Sequence, residues 1–408
     1  MSGSGGARVS LVSLGVGLAA AGVGAALGLA AERVTVGRAL RPPLDEHGHP
    51  LDDEGFGTIH SPGVRVEADD GTLLHVEVDE PDPGQAAARP GGGRRRGRGR
   101  PATPPLTLVF SHGYALSLDS WHYQRKALRG RYRMVFWDQR GHGRSATGPA
   151  GSATIDQVGR DLARVIAAVA PDGPLVLIGH SMGGMTVMSF AESDQALVDQ
   201  RVVAVALLST SAGGLGEVDF GLPRVGPIVQ RLAPTTLKAL SWRPALIERG
   251  RRIGSDLEAL IVRRYSYASP VSASLVRFTA DMIASTRLEV ISEFMPAFST
   301  HDKLAALAGL QAHEVLVLVG DGDLLTPVAH SEEIVRQVPG AEHVVVRDAG
   351  HLVMLEHPEV VTMNLVELVE RALRRRDTTY QERRRVPLVR RTVTPVRRRG
   401  WGRRDGAA

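Results

Sequence analysis

The chain has 408 residues, a net charge of +5 and no cysteine, with 43% hydrophobic and 4% aromatic residues. Without cysteine there is no disulfide, thiolate metal site or cysteine nucleophile, and the length exceeds one comfortable core, so part of the chain must be tether, linker or tail. The positive charge is local: 14 arginines and three acidic residues follow residue 370, which leaves the rest of the chain acidic.

Residues 9–31 form 23 positions without a charge, bounded by Arg8 and Glu32. At about 1.5 Å per residue, a helix of that length just spans a hydrocarbon core of about 30 Å. The expectation is a membrane anchor, and Gly24 and Gly28 would let two such helices pack closely. A cleaved signal peptide with its small-residue site at Gly28-Leu29-Ala30 is the alternative. Arg33, Arg38 and Arg41 outweigh Arg8, which by the positive-inside rule puts the larger, C-terminal part of the chain in the cytoplasm, whereas signal cleavage would make it secreted. Up to residue 62 the chain reads as a linker, in which His47, His49, Asp52 and Asp53 lack metal-ligand spacing, so no metal is expected there or elsewhere.

A folded domain is expected over residues 63–373. Residues 64–67 and 73–78 alternate polar and apolar around Asp70-Gly71, a hairpin signal. Residues 79–105 are a Pro/Gly/Ala-rich insertion with a run of arginines from Arg94 to Arg100, expected to be disordered. Beyond it, apolar runs at 107–110, 134–137, 175–178, 202–208 and 316–319 alternate with helical patterns, as strands of a parallel sheet buried on both faces should. The alternation stops between about 211 and 300, where helix-like segments fall at 225–239, 255–267, 271–283 and 288–298. From 374 to 408 the Arg-rich tail has no apolar periodicity and is expected to be disordered. Anionic lipid suits it better than nucleic acid, since few aromatics are interleaved.

Chemistry enters at the strand ends. Gly179-His180-Ser181-Met182-Gly183 follows one apolar run and opens a helical one, a strand, sharp turn and helix that push the serine hydroxyl out above the sheet. Asp321-Gly322-Asp323 and Asp348-Ala349-Gly350-His351 follow later strands, giving the chain order serine, acid, histidine. A serine hydroxyl is a poor nucleophile, so a histidine must take its proton and a carboxylate must orient the imidazole. Ser181 is therefore the expected nucleophile, His351 the base and Asp323 the orienting acid, with Asp321 as its rival. Donors for the oxyanion are expected from the backbone amides of Met182 and of Tyr114, the latter in the loop Ser111-His112-Gly113-Tyr114 after another strand. His112 is read as packing that loop.

Five segments in this order, with Asp138-Gln139-Arg140-Gly141-His142-Gly143-Arg144-Ser145 among them, resemble the α/β-hydrolase superfamily over about residues 64–373. The resemblance implies an α/β fold with a mostly parallel eight-stranded sheet and a helical cap inserted after strand 6. It also implies hydrolysis of a carboxylic ester or related bond through an acyl-enzyme on Ser181 without a cofactor, with the Asp138–Ser145 segment a structural turn. A serine at 181 disfavours relatives that form an alkyl-enzyme ester on aspartate. Trp242, Met282, Phe294 and Phe298 in the cap are candidates for an apolar acyl or lipid-like substrate, or else the cap's own core. The expected protein is thus a membrane-tethered esterase or lipase acting on a small ester or lipid. Carbon–carbon hydrolysis and perhydrolysis by the same triad, and a non-catalytic ligand-binding protein of this fold, stay open.

Overall fold

The computed structural model describes residues 54–82, 104–215, 261–376 and 390–395. One nine-stranded sheet runs through these residues in the order β1-β2-β4-β3-β5-β6-β7-β8-β9. Its first two strands, β1 (Gly63–Glu67) and β2 (Leu73–Asp79), form the hairpin expected from the alternation, in the register Val66 opposite Leu74. The turn needs Gly71, whose φ of +83° is a conformation that side chains resist. β2 also pairs antiparallel with β4 (Arg133–Trp137). From there β3 (Thr107–Ser111), β5 (Leu175–His180), β6 (Val202–Leu208), β7 (Glu314–Gly320) and β8 (Glu342–Val346) run parallel.

Helices cover both faces, which is why the central strands are apolar at every position rather than at alternate ones. On β3, Leu108 and Phe110 enter one core with Phe136 and Ile178, while Val109 between them enters the other with Val135 and Leu177. The second core is closed by α2 (Ile155–Val169), whose apolar face presents Leu162, Val165 and Ile166. That helix starts at Thr154, whose side chain accepts from the Gln157 N–H. α1 (His122–Leu128) precedes β4, and α3 (Met182–Ser193) with α4 (Gln195–Arg201) links β5 to β6. The loops that carry Tyr114, Ser181, Asp323 and His351 all leave the carboxyl ends of parallel strands, where such sheets place their ligands.

The sheet has one strand more than expected. β9 (Arg390–Val393) lies in the Arg-rich segment read as disordered tail, and it pairs parallel with β8, Val346 opposite Val393. Without it β8 would present an unpaired edge. Its attachment is electrostatic as well as backbone: Arg391 reaches Glu342, and Glu367 at 3.0 Å. Four charged and β-branched residues carry no periodicity, so pairing to a distant strand was invisible in the sequence.

After β6 the described chain resumes at residue 261 and forms α5 (Ala273–Ser285) and α6 (Leu288–Thr300), close to the expected segments. α7 (Val328–Gln337), α8 (Val353–Glu356) and α9 (Pro358–Arg376) complete the order. Trp242, the expected helix at 225–239, the anchor at 9–31, the linker cluster and most of the basic insertion lie outside the described residues. Among the described residues no helix is long and apolar enough to cross a membrane.

Candidate active site

Ser181 stands between β5 and α3 with φ 52° and ψ −120°, a backbone conformation costing a non-glycine residue about 1–3 kcal/mol. The surroundings hold it there. Its N–H donates to Leu208 O at 3.0 Å, and its carbonyl accepts from Gly184 N–H at 2.9 Å and from the Thr210 hydroxyl at 2.7 Å. Glycine is required on both sides: a Cβ on Gly179 would lie 2.3 Å from Gly183 O, and one on Gly183 would lie 2.0 Å from Ser111 O. The elbow thus packs directly on the end of β3. Met182 is the first helical residue, so its N–H is among those the helix itself leaves unpaired.

The loops after β7 and β8 bring the next two residues together. His351 Nδ1 is 3.0 Å from Asp323 Oδ2 and 3.1 Å from Oδ1, with both side chains buried. A carboxylate on Nδ1 fixes the proton there and leaves Nε2 as the basic nitrogen. Burial by itself would raise the Asp323 pKa, but the His351 imidazole and the donors of Thr326 outweigh it and hold the carboxyl below its ordinary value. Thr326 contributes its N–H and its hydroxyl, each at 2.9 Å. Leu325 N–H, two residues on, makes the usual aspartate turn bond to Asp323 Oδ1 at 2.9 Å, and that turn pattern is the signal in the sequence that could have pointed to this threonine. Asp321, the rival acid, is exposed, and its N–H bonds to Val346 O at 2.9 Å. Among the described residues no hydrogen bond joins the Ser181 hydroxyl to His351; such bonds are commonly loose until substrate is held.

On the other side of the serine lies the loop after β3. A Cβ on Gly113 would sit 3.2 Å from Ser181 Cβ, so glycine is what lets the loop approach. His112 packs the loop as expected: its Nε2 accepts from Gln139 N–H at 2.9 Å, so Nδ1 carries the proton given to Gly113 O at 2.7 Å. Burial pushes the His112 pKa down to about 4. Gln139 donates to His112 O at 2.6 Å, and the Thr186 hydroxyl lies 2.7 Å from Gln139 Oε1 and 2.8 Å from Met182 O. One buried polar chain therefore spans from the Gly113 loop to Met182, the two places where oxyanion donors are expected. Asp138 is a turn residue here, its carboxylate accepting from Leu118 N–H at 2.7 Å and Arg144 N–H at 2.9 Å.

The cap candidates separate. Phe294 is 1% exposed and packs with Met182, Met185 and Val290. Phe298 is half-buried, its ring edge-on to Tyr114 at 4.9 Å. The Tyr114 hydroxyl donates to Ile291 O at 2.5 Å, tying its loop to α6. Met282 belongs instead to a core with Tyr267 and Val276. A cavity of about 320 Å³ opens beside α6, lined by Ala153, Ile155, Glu293, Pro296, Ala297 and His301 among others; Ser181 and His351 do not line it.

The family profile described as alpha/beta hydrolase fold matches residues 107–358. The chain is 27% identical over 279 residues to the dihydrolipoyllysine-residue acetyltransferase component of the acetoin cleaving system of Pseudomonas putida, covering 65% of this chain and 64% of that protein. It is 25% identical over 279 residues to a non-heme haloperoxidase of Rhodococcus erythropolis, covering 67% and 93% respectively. Among solved structures it is similar to a thermophilic esterase from Thermogutta terrifontis, with a TM-score of 0.56 and 24% identity over 76% of this chain and 99% of that one. At that identity the likeness speaks to the fold.

Proposed function

The chain belongs to the alpha/beta hydrolase fold family, and from that premise we propose that it is a serine hydrolase that cleaves carboxylic esters with apolar acyl groups. One observation carries the reading: a serine held at φ 52° on a strand-to-helix elbow, in a site where a buried histidine already faces a buried carboxylate at 3.0 Å. In the proposed reaction Ser181 Oγ attacks the ester carbonyl carbon while His351 Nε2 takes its proton. The developing oxyanion accepts from the Met182 and Tyr114 amides, a type of contact worth about 100- to 1,000-fold in turnover per donor. Asp323 stabilises the imidazolium. Collapse expels the alcohol with the proton from His351, and water then attacks the acyl-enzyme by the same base to release the carboxylic acid.

Apolar specificity is supported by the half-buried Phe298, which packs against Tyr114 beside the elbow. Attachment to a membrane is part of the proposal and is supported by the charge-free residues 9–31, with the arginines after residue 370 adding contact with anionic lipid. The test is a fluorophosphonate probe with a panel of ester and acylglycerol substrates. Labelling of the wild type but not of Ser181→Ala, together with ester turnover, is expected. An unlabelled wild type would leave a ligand-binding protein of this fold. Labelling with perhydrolysis or carbon–carbon cleavage but no ester turnover would reassign the substrate.

A further inference from the structure

His351 follows Gly350, which is held by a side chain at the end of α8. The Gly350 N–H donates to Glu356 Oε2 at 2.6 Å. The other oxygen of the same carboxylate, Oε1, accepts from the N–H of Ala268 at 3.0 Å, the N–H of Ser269 at 2.5 Å and the Ser269 hydroxyl at 2.7 Å. Ala268 and Ser269 lie on the stretch of chain between β6 and β7 that leads into α5. One half-buried carboxylate therefore receives four donors, one from the histidine loop and three from the cap's entry segment.

The same segment is wedged between the acid and histidine loops. Leu352 N–H donates to Ser266 O at 2.9 Å. A Cβ on Gly350 would lie 2.7 Å from Ser266 O, and one on Gly322, just before Asp323, would lie 2.7 Å from Ala268 Cβ. Both loops have a glycine where residues 266–268 touch them, so the cap entry is in contact with the backbone on each side of the His351–Asp323 pair.

We propose that Glu356 is a positioning residue that sets the register of His351 against the cap entry, so that the placement of the cap and that of the base depend on one carboxylate. This rests on the reading of His351 as the general base. The chemistry requires a carboxylate: a glutamine has one acceptor oxygen, and its NH₂ would face either Gly350 N–H or the Ser269 donors. Charge-assisted bonds of this kind are about twice as strong as neutral ones, and a small misplacement of a catalytic group can cost about 100-fold.

The experiment compares Glu356→Gln, Glu356→Ala and Ser269→Ala in the full chain, reading kcat and KM on an ester, the rate of fluorophosphonate labelling, and amide exchange over residues 264–270 and 349–352. Glu356→Gln is expected to lower kcat and the labelling rate together by about 10- to 100-fold with KM within about twofold, and to speed exchange in both segments. Ser269→Ala, which spares the bond to Gly350, should lose less than Glu356→Gln. If Glu356→Ala does not fold, the glutamine variant still decides. A changed KM or chain-length preference at unchanged kcat would make Glu356 a cap residue only and overturn the proposal. If the wild type is neither labelled nor active, the reading of the site has failed, and exchange alone judges the coupling: faster exchange in both segments upholds it, and in one alone removes it.

Discussion

His180 donates from Nε2 to the main-chain oxygen of His351 at 2.9 Å, so the residue before the elbow serine also holds the backbone of the base. The two rings lie 4.9 Å apart. The donor role fixes the tautomer, leaving Nδ1 as an unprotonated nitrogen that is buried, has no partner among the described residues, and faces Gly113, where a Cβ would come within 2.7 Å.

This arrangement makes an acid-sensitive contact. Burial, with the neighbouring His351 second, pushes the His180 pKa down to about 3. In the unfolded chain a histidine titrates near 6.5, so between those values the unfolded state holds the extra proton and stability falls as pH drops. His180→Gln removes that proton. Its stability deficit against the wild type is expected to shrink by roughly 1 kcal/mol per pH unit between pH 6 and 4. Urea unfolding at several pH values measures it, and a deficit that stays constant would show that His180 is not buried in its neutral form. Asp138 and Asp161, whose pKa values burial raises, are common to both proteins and cancel in the difference.

The choice between the two acids is directly testable. Asp323→Asn is expected to lower kcat by roughly 10³- to 10⁴-fold, because an amide in place of the carboxylate no longer favours the proton on Nδ1. Asp321→Asn should stay within a few-fold of the wild type, since Asp321 is exposed. Ser181→Ala and His351→Ala should each abolish turnover, with no further loss when combined, because triad members act as a unit. Full activity in Asp323→Asn would remove Asp323 from the mechanism.

The two cap phenylalanines should behave differently. Phe294→Ala opens a cavity where the ring is 1% exposed, and a loss of about 3–5 kcal/mol in stability is expected. Phe298→Ala removes a half-buried ring from the edge of Tyr114 and should move the preference toward longer acyl chains with little loss of stability. A series of esters of increasing chain length and a thermal melt separate the two effects. An unchanged chain-length profile in Phe298→Ala would class that residue with the cap core.

For the segment at 9–31, the full-length protein is expected in the membrane fraction after a high-salt wash. A chain starting at Arg41 should become soluble or salt-extractable while still cleaving esters. Recovery of the full-length protein in the soluble fraction, or a mature form starting near Ala31, would end the anchor proposal and leave the catalytic one standing.

What the sequence determined by itself was local: apolar runs long enough for strands buried on both faces, glycines at 179 and 183 where backbones cross, and the order of serine, acid and histidine at strand ends. These features arise from backbone sterics and side-chain periodicity, which operate within a few residues. Tertiary structure decided everything that depended on which distant chain lies alongside. Asp321 and Asp323 stand two residues apart in one turn, and only the approach of the β8 loop puts His351 on one and solvent on the other. Likewise Arg390–Val393 becomes a strand only because β8 offers an open edge and Glu342 and Glu367 receive Arg391. Glu356 reads as an ordinary surface glutamate until residues 266–269 fold against it, since three of its four donors come from one remote segment and leave no mark in local sequence.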